Sequence, residues 1–125
     1  MIALGIGILF CGAGFCYLSF ALPDVGKPEQ LHVDMSPDRI ERGKYLANHV
    51  TLCIDCHSTR DWSKFTGPVI AGTEGMGGET FDQKIGFPGT YVSANITPAG
   101  IGEYSDGELF RAITTGVSKK GHALF

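Results

Sequence analysis

Basic residues are sparse in this chain and never cluster. Lys and Arg number 10 against 13 Asp and Glu, the formal net charge is −3, and no run of either sign occurs. A nucleic-acid-binding surface needs a basic patch or stripe, so nucleic acid is not an expected partner. Cysteine is scarce too, with four residues in two unlike settings. Cys11 and Cys16 lie in an apolar segment, so Cys53 and Cys56 lack the second ligand pair of a structural zinc site. No acid–base pair or nucleophile–base constellation is visible, so the chain is expected to catalyse nothing alone.

Charge is absent altogether from Ile2 to Leu22. As a helix that stretch would be roughly 30 Å long, the thickness of a bilayer's hydrocarbon core. A cleaved signal peptide, a membrane anchor and a buried helix all fit the bare run. The start carries no Lys or Arg, the end (Ser19-Phe20-Ala21-Leu22) is a poor small-x-small site, and the run is longer than a typical signal core. Residues 2–22 are therefore expected to be an uncleaved transmembrane anchor, with a signal peptide as the alternative. Cys11 and Cys16 are five positions apart, on different sides of such a helix, and read as small apolar filler. The remaining residues, about a hundred, suffice for one domain but are marginal for a self-sufficient core.

Downstream, Pro23–Met35 reads as a linker, with Pro23, Gly26 and Pro28 among scattered charges. Ser36-Pro37-Asp38 starts a helix: a serine cap, proline at the first position and an acid in the first turn. Ile40, Gly43, Ala47 and Val50 recur at helical spacing, and Gly43 with Ala47 makes a flat stripe. Tyr45 and His49 read as surface or helix-contact residues. Ser58–Ala94 has no sustained period and is broken by Gly67-Pro68, Gly72, Gly75, Gly77-Gly78, Gly86 and Pro88-Gly89. Ser105-Asp106-Gly107-Glu108 has the form of a capping box. Leu109, Phe110, Ala112 and Ile113 then give an apolar helical face, and Gly116 a stop.

Between the first helix and the glycine-rich stretch lies Cys53-Ile54-Asp55-Cys56-His57. This C-x-x-C-H spacing reads as a site of covalent haem attachment. Two thiols three positions apart can form thioethers to the two vinyl groups of one haem, and the adjoining histidine supplies an imidazole to iron. A redox dithiol is the rival reading, but no βαβ context accompanies it. A haem edge would also give the long loop something to wrap, with Trp62, Phe65, Phe81, Phe87 and Tyr91 as candidate packing partners.

Several stretches taken together resemble class I c-type cytochromes. They are Arg42-Gly43 with Tyr45-Leu46-Ala47, the Cys53–His57 motif, Asn95-Ile96-Thr97-Pro98, Gly100-Ile101-Gly102, Ser105-Asp106, Phe110-Arg111-Ala112 and Gly116-Val117. The nearest group is the membrane-anchored cytochrome c subunits of bacterial alcohol, aldehyde and sugar-acid dehydrogenases. The resemblance implies an all-α, cytochrome c-like domain over residues 36–125, with one covalent haem c and a long loop around it. Cys53 and Cys56 would carry the haem, and His57 would be an axial iron ligand.

The resemblance also implies one-electron transfer in a bacterial periplasmic respiratory chain, from the inner membrane. The donor would be a dehydrogenase and the acceptor an oxidase or another cytochrome. A haem-based sensor with an open iron site is the alternative. In the family a proline-flanked methionine and a C-terminal helix follow the segment resembling Gly121–Phe125. The sixth ligand is accordingly expected beyond Phe125, in a chain truncated at its C-terminus. Met76 is the only methionine after the motif and a weaker substitute, as is His122.

Overall fold

The structure, a computed structural model, describes residues 2–124. Phe125, where the expected haem domain ends, lies outside them. The chain divides into two units. One joins the N-terminal stretch up to Gln30 with Asp106–Leu124; the other is Leu31–Ser105.

In the first unit, α1 spans Ile2–Phe20 and has no acid in its first turn or base in its last. Every side chain from Ala3 to Phe20 is exposed. By length and composition this helix can cross a membrane. An apolar helix with no face buried has no periodic stripe with which to choose a protein neighbour.

The last helix of the chain, α5 (Asp106–Thr115), starts directly after Ser105 and carries Asp106 and Glu108 in its first turn. Carboxylates there oppose the positive end of the helix dipole. Gly116, at φ 68°, ends it as the sequence suggests, because a left-handed residue frees the chain to turn back. Leu124 then donates its N–H to Gly116 O (2.8 Å), and Ser118 N–H reaches His122 O (2.7 Å). Val117, 2% exposed, is buried in this return and is the only buried hydrophobic side chain among the described residues. Arg111 holds the same turn through Nη2, which donates to Ser118 O (2.9 Å) and Lys119 O (3.2 Å).

The second unit opens with α2 (Pro37–Tyr45), which has Ser36 at its cap and proline in its first turn. The helix does not run straight into the cysteine motif. It widens into a π-turn over Leu46–Val50, with Thr51 donating both its N–H (2.9 Å) and its hydroxyl (3.0 Å) to Leu46 O. Leu52 then sits at φ 54°, the one described non-glycine residue with positive φ. That reversal starts a separate single turn, α3 (Cys53–Cys56).

The all-α expectation holds only at the coarse level of a helix-rich chain. The glycine-rich stretch carries a small antiparallel sheet, β1 (Thr80–Phe81) against β2 (Tyr91–Val92), with Thr80 opposite Val92 and Phe81 opposite Tyr91. Strands of two residues are too short to show an alternating pattern. Asn95 then turns the chain, its Oδ1 accepting from Thr97 N–H (2.8 Å) and Thr97 Oγ1 (2.6 Å), and α4 (Pro98–Ile101) follows.

Candidate haem-attachment site

The motif residues lie on one short turn. Cys53 and Cys56 stand three apart on α3, so their side chains leave the same face one above the other. Both thiols are unpaired, with Cys53 half-buried and Cys56 exposed. The Thr51 hydroxyl lies 3.1 Å from Cys53 Sγ. Leu52 supplies the change of direction that separates this turn from the preceding helix. A non-glycine residue in the left-handed region costs on the order of 1–2 kcal/mol, a local expense the surrounding structure must offset.

His57 follows α3 directly, and its ring is oriented by an element distant in sequence. Its Nδ1 lies 2.7 Å from the backbone oxygen of Ala94. A carbonyl oxygen only accepts, so Nδ1 carries the proton in this contact. Nε2 is then the lone-pair nitrogen of the neutral ring, the tautomer a metal takes. The backbone of His57 is held as well, because Gly77 N–H donates to His57 O (2.8 Å).

The neighbouring residues fix this arrangement from both sides. Ser58 is fully buried; its Oγ donates to Ile54 O (2.5 Å) and accepts Gly75 N–H (3.1 Å). Gly77, at φ 72°, passes so close to the 93–94 segment that a Cβ there would lie 2.6 Å from Ala94 C and O and from Ser93 O. Arg60, with a side chain 20% exposed, donates from Nε to Gly67 O (2.5 Å), from Nη2 to Thr66 O (3.1 Å) and from Nη1 to Asp55 O (3.2 Å). Its guanidinium thereby ties the residue between the two cysteines to the 61–67 loop. Within that loop Asp61 accepts from Ser63 Oγ (2.5 Å) and Ser63 N–H (3.1 Å) and pairs with Lys64 Nζ (3.1 Å). These contacts, the Ser63 hydroxyl first, hold the Asp61 carboxyl below its ordinary pKa.

The aromatic candidates divide. Phe81, Phe87 and Tyr91 form one cluster on the β1–β2 hairpin, with ring centroids 5.6 Å and 6.0 Å apart. Trp62 stacks on the Arg60 guanidinium (5.2 Å) and donates from Nε1 to Glu79 Oε1 (2.6 Å). Phe65 is fully exposed. Tyr45 and His49 pair with each other, ring centroids 5.5 Å apart, beside a groove lined also by Pro37, Ile40 and Lys44. Met76 is 55% exposed and bracketed by Gly75 and Gly77, which bond to Ser58 and His57. Sequence reasoning missed Ala94 and Glu79. Ala94 acts through its carbonyl, which every residue has, and Glu79 is a lone acid in a glycine-rich loop. Arg60, three residues past the motif, was the one findable signal.

No protein-family model matches the chain. The chain is similar to the gluconate 2-dehydrogenase cytochrome c subunit of Pantoea cypripedii. The two are 34% identical over 89 residues, which is 69% of this chain and 17% of that protein. The chain thus spans about a sixth of the relative's length. That relative is by name a cytochrome c, the class of protein whose group is haem c.

The residues present fit that group. Two unpaired thiols share one face of a helical turn, and the adjoining imidazole is held at Nδ1, so that Nε2 is the nitrogen that could ligate a metal.

Proposed function

We propose that this chain is a membrane-anchored electron-transfer protein that carries one haem c through Cys53 and Cys56, with His57 as an axial ligand to iron. The observation that carries the reading is the His57 Nδ1–Ala94 O contact at 2.7 Å, which engages one ring nitrogen and leaves Nε2 as the one that would ligate a metal, beside two free thiols. When bound, the haem supplies a one-electron couple whose potential is set by its axial ligands, the hydrogen bonds around them and their burial.

The chain's own part is to bind and orient. Cys53 and Cys56 anchor the group; the Ala94 carbonyl draws on the Nδ1 proton, which makes His57 a stronger electron donor to the metal. Ser58 and Gly77 hold the motif against rotation and so would keep the histidine in place for the metal. Covalent attachment also suits a unit with so little apolar interior, because a small domain needs a further stabiliser beyond its own core. Leu52, Val50, Ile70 and Trp62 are all exposed large apolar side chains of this unit.

Met76 stays the weaker candidate for a second ligand in this reading, because its neighbours Gly75 and Gly77 bond to Ser58 and to His57 and would tie it to the segment that holds the histidine. The anchor is α1, whose exposed apolar surface suits lipid. The haem unit then works on the periplasmic side of a bacterial inner membrane, between a dehydrogenase donor and an oxidase or another cytochrome. The similarity to a dehydrogenase's cytochrome subunit supports the donor class.

The test is expression with outer-side haem attachment, followed by intact mass and visible spectra. The expected result is one haem mass retained after denaturation, lost in Cys53→Ala/Cys56→Ala. A polypeptide of unmodified mass overturns the reading. A ferrous spectrum that shifts at once with carbon monoxide replaces the carrier with a ligand-binding sensor.

A further inference from the structure

We infer that Glu79 is a positioning residue for the iron-ligating histidine, acting through the strand that supplies the Ala94 carbonyl. The inference rests on the haem reading above and adds a residue to it.

Glu79 has four polar connections, and each leads to the histidine's surroundings. Its carboxylate is divided between two donors. Oε2 accepts the backbone N–H of Arg60 (3.1 Å), and Oε1 accepts the Trp62 indole N–H (2.6 Å). Its backbone N–H donates to Ser93 Oγ (3.0 Å), and its carbonyl accepts Ser93 N–H (2.9 Å). Gly78 N–H also reaches Ser93 O (2.9 Å). The 77–81 segment therefore runs along 91–94 as a continuation of the β1–β2 ladder. The two sides of its far end hold His57 by different atoms: Gly77 N–H takes the backbone oxygen, and Ala94 O takes the ring Nδ1 proton.

At one end the ladder is held to the motif by Gly77 N–H on His57 O and, just before it, by Gly75 N–H on Ser58 Oγ. Arg60, three residues past His57, adds a separate fixed point, because its N–H is held by the Glu79 side chain. Attachments on both sides of the 58–59 backbone define an orientation that the His57 end alone leaves looser. The Arg60 guanidinium extends the frame to Asp55, between the cysteines. Glu79 is half-buried, and of its two carboxylate contacts the bond to the part-buried Arg60 N–H is the one water replaces less well. The Trp62 indole lies at the exposed edge and can turn to solvent.

The carboxylate also places a negative charge near the site, and charge alone would alter the redox potential. Glu79→Gln and Glu79→Ala share the loss of charge. They differ in that Gln retains an oxygen for Arg60 N–H, with the exposed indole turning to water. The two are compared as full chains with haem attached, by the ¹H–¹⁵N signal of His57 Nδ1–H in the reduced protein and by midpoint potential. Glu79→Gln is expected to keep the Nδ1–H signal at the wild-type position. Glu79→Ala is expected to move it upfield and speed its exchange with water severalfold. A weaker Nδ1–H···O bond makes the imidazole a poorer donor and favours the ferrous state, so the potential of Glu79→Ala should lie above that of Glu79→Gln.

Equal potentials and unmoved Nδ1–H signals in the two variants overturn the inference and leave Glu79 a mere charge. If Glu79→Ala does not accumulate, Ser93→Ala reads the same linkage from the opposite strand, and an unshifted signal there overturns it equally. Failure of the haem reading looks different: no variant, nor the wild type, then carries the porphyrin mass.

Discussion

The chemistry turns on a few atoms and their immediate neighbours. His57 contributes one nitrogen to the metal in the proposed reading because its other nitrogen is occupied by Ala94 O. Met76, bracketed by residues bonded to Ser58 and His57, is left as an exposed side chain. Met76→Leu is therefore expected to leave the visible spectrum of both oxidation states unchanged, whereas His57→Ala should abolish the low-spin spectrum. Leu52 is a different kind of case. Its φ of 54° penalises a β-branched side chain most, so Leu52→Val should destabilise the protein by about 1 kcal/mol in a denaturant titration. Asp61 carries the one pH prediction. Its folded carboxyl titrates below the ordinary value, chiefly through the Ser63 hydroxyl and then Lys64. Its contribution to stability is thus in place above the unfolded pKa and is lost as pH falls through the lowered folded one. Carboxyl NMR should show that low midpoint, and Ser63→Ala should raise it.

Among the elements, the short ladder after the glycine-rich loop does more to build the site than its length suggests. Two-residue strands contribute little stability of their own. Extended through Gly78, Glu79 and Ser93, they bring a carbonyl to the histidine ring and an N–H to its backbone. Gly77 is where this ladder is least tolerant. With φ at 72° and a Cβ position 2.6 Å from Ala94 and Ser93 backbone atoms, Gly77→Ala must push the strands apart. The expected cost is about 2 kcal/mol or more in a denaturant titration, with a displaced Nδ1–H signal. Gly43 is the opposite case: a Cβ there meets nothing within 4 Å, so Gly43→Ala is expected to stabilise α2 by roughly 0.5–1 kcal/mol. The helix start at Pro37, the stop at Gly116 and the separate turn at α4 follow from local residue chemistry. The π-turn over Leu46–Val50 does not, since nothing in Leu-Ala-Asn-His-Val distinguishes it from ordinary helix.

At the scale of the whole molecule, an exposed apolar helix and a unit with little buried hydrophobic side-chain surface call for partners that the described residues do not supply. In the proposed reading these are a bilayer for α1 and a porphyrin for residues 31–105. Membrane fractions should accordingly retain the protein through alkaline carbonate washing, and N-terminal sequencing of the mature chain should begin before Leu22. A mature start after Leu22, in a soluble fraction, would assign 2–22 to a signal peptide instead.

Residue order alone determined the parts of this protein that depend on near neighbours: the uncharged run of α1, the helix limits at Pro37 and Gly116, and the spacing of Cys53, Cys56 and His57. Thiols three positions apart share a helical face whatever surrounds them. Which nitrogen His57 offers, and which segment holds it there, only the tertiary structure decided. Those depend on a backbone carbonyl 37 residues along the chain and on a ladder too short to leave a pattern. Backbone groups are the same at every position, so their pairing across a loop becomes visible only when the chain is folded.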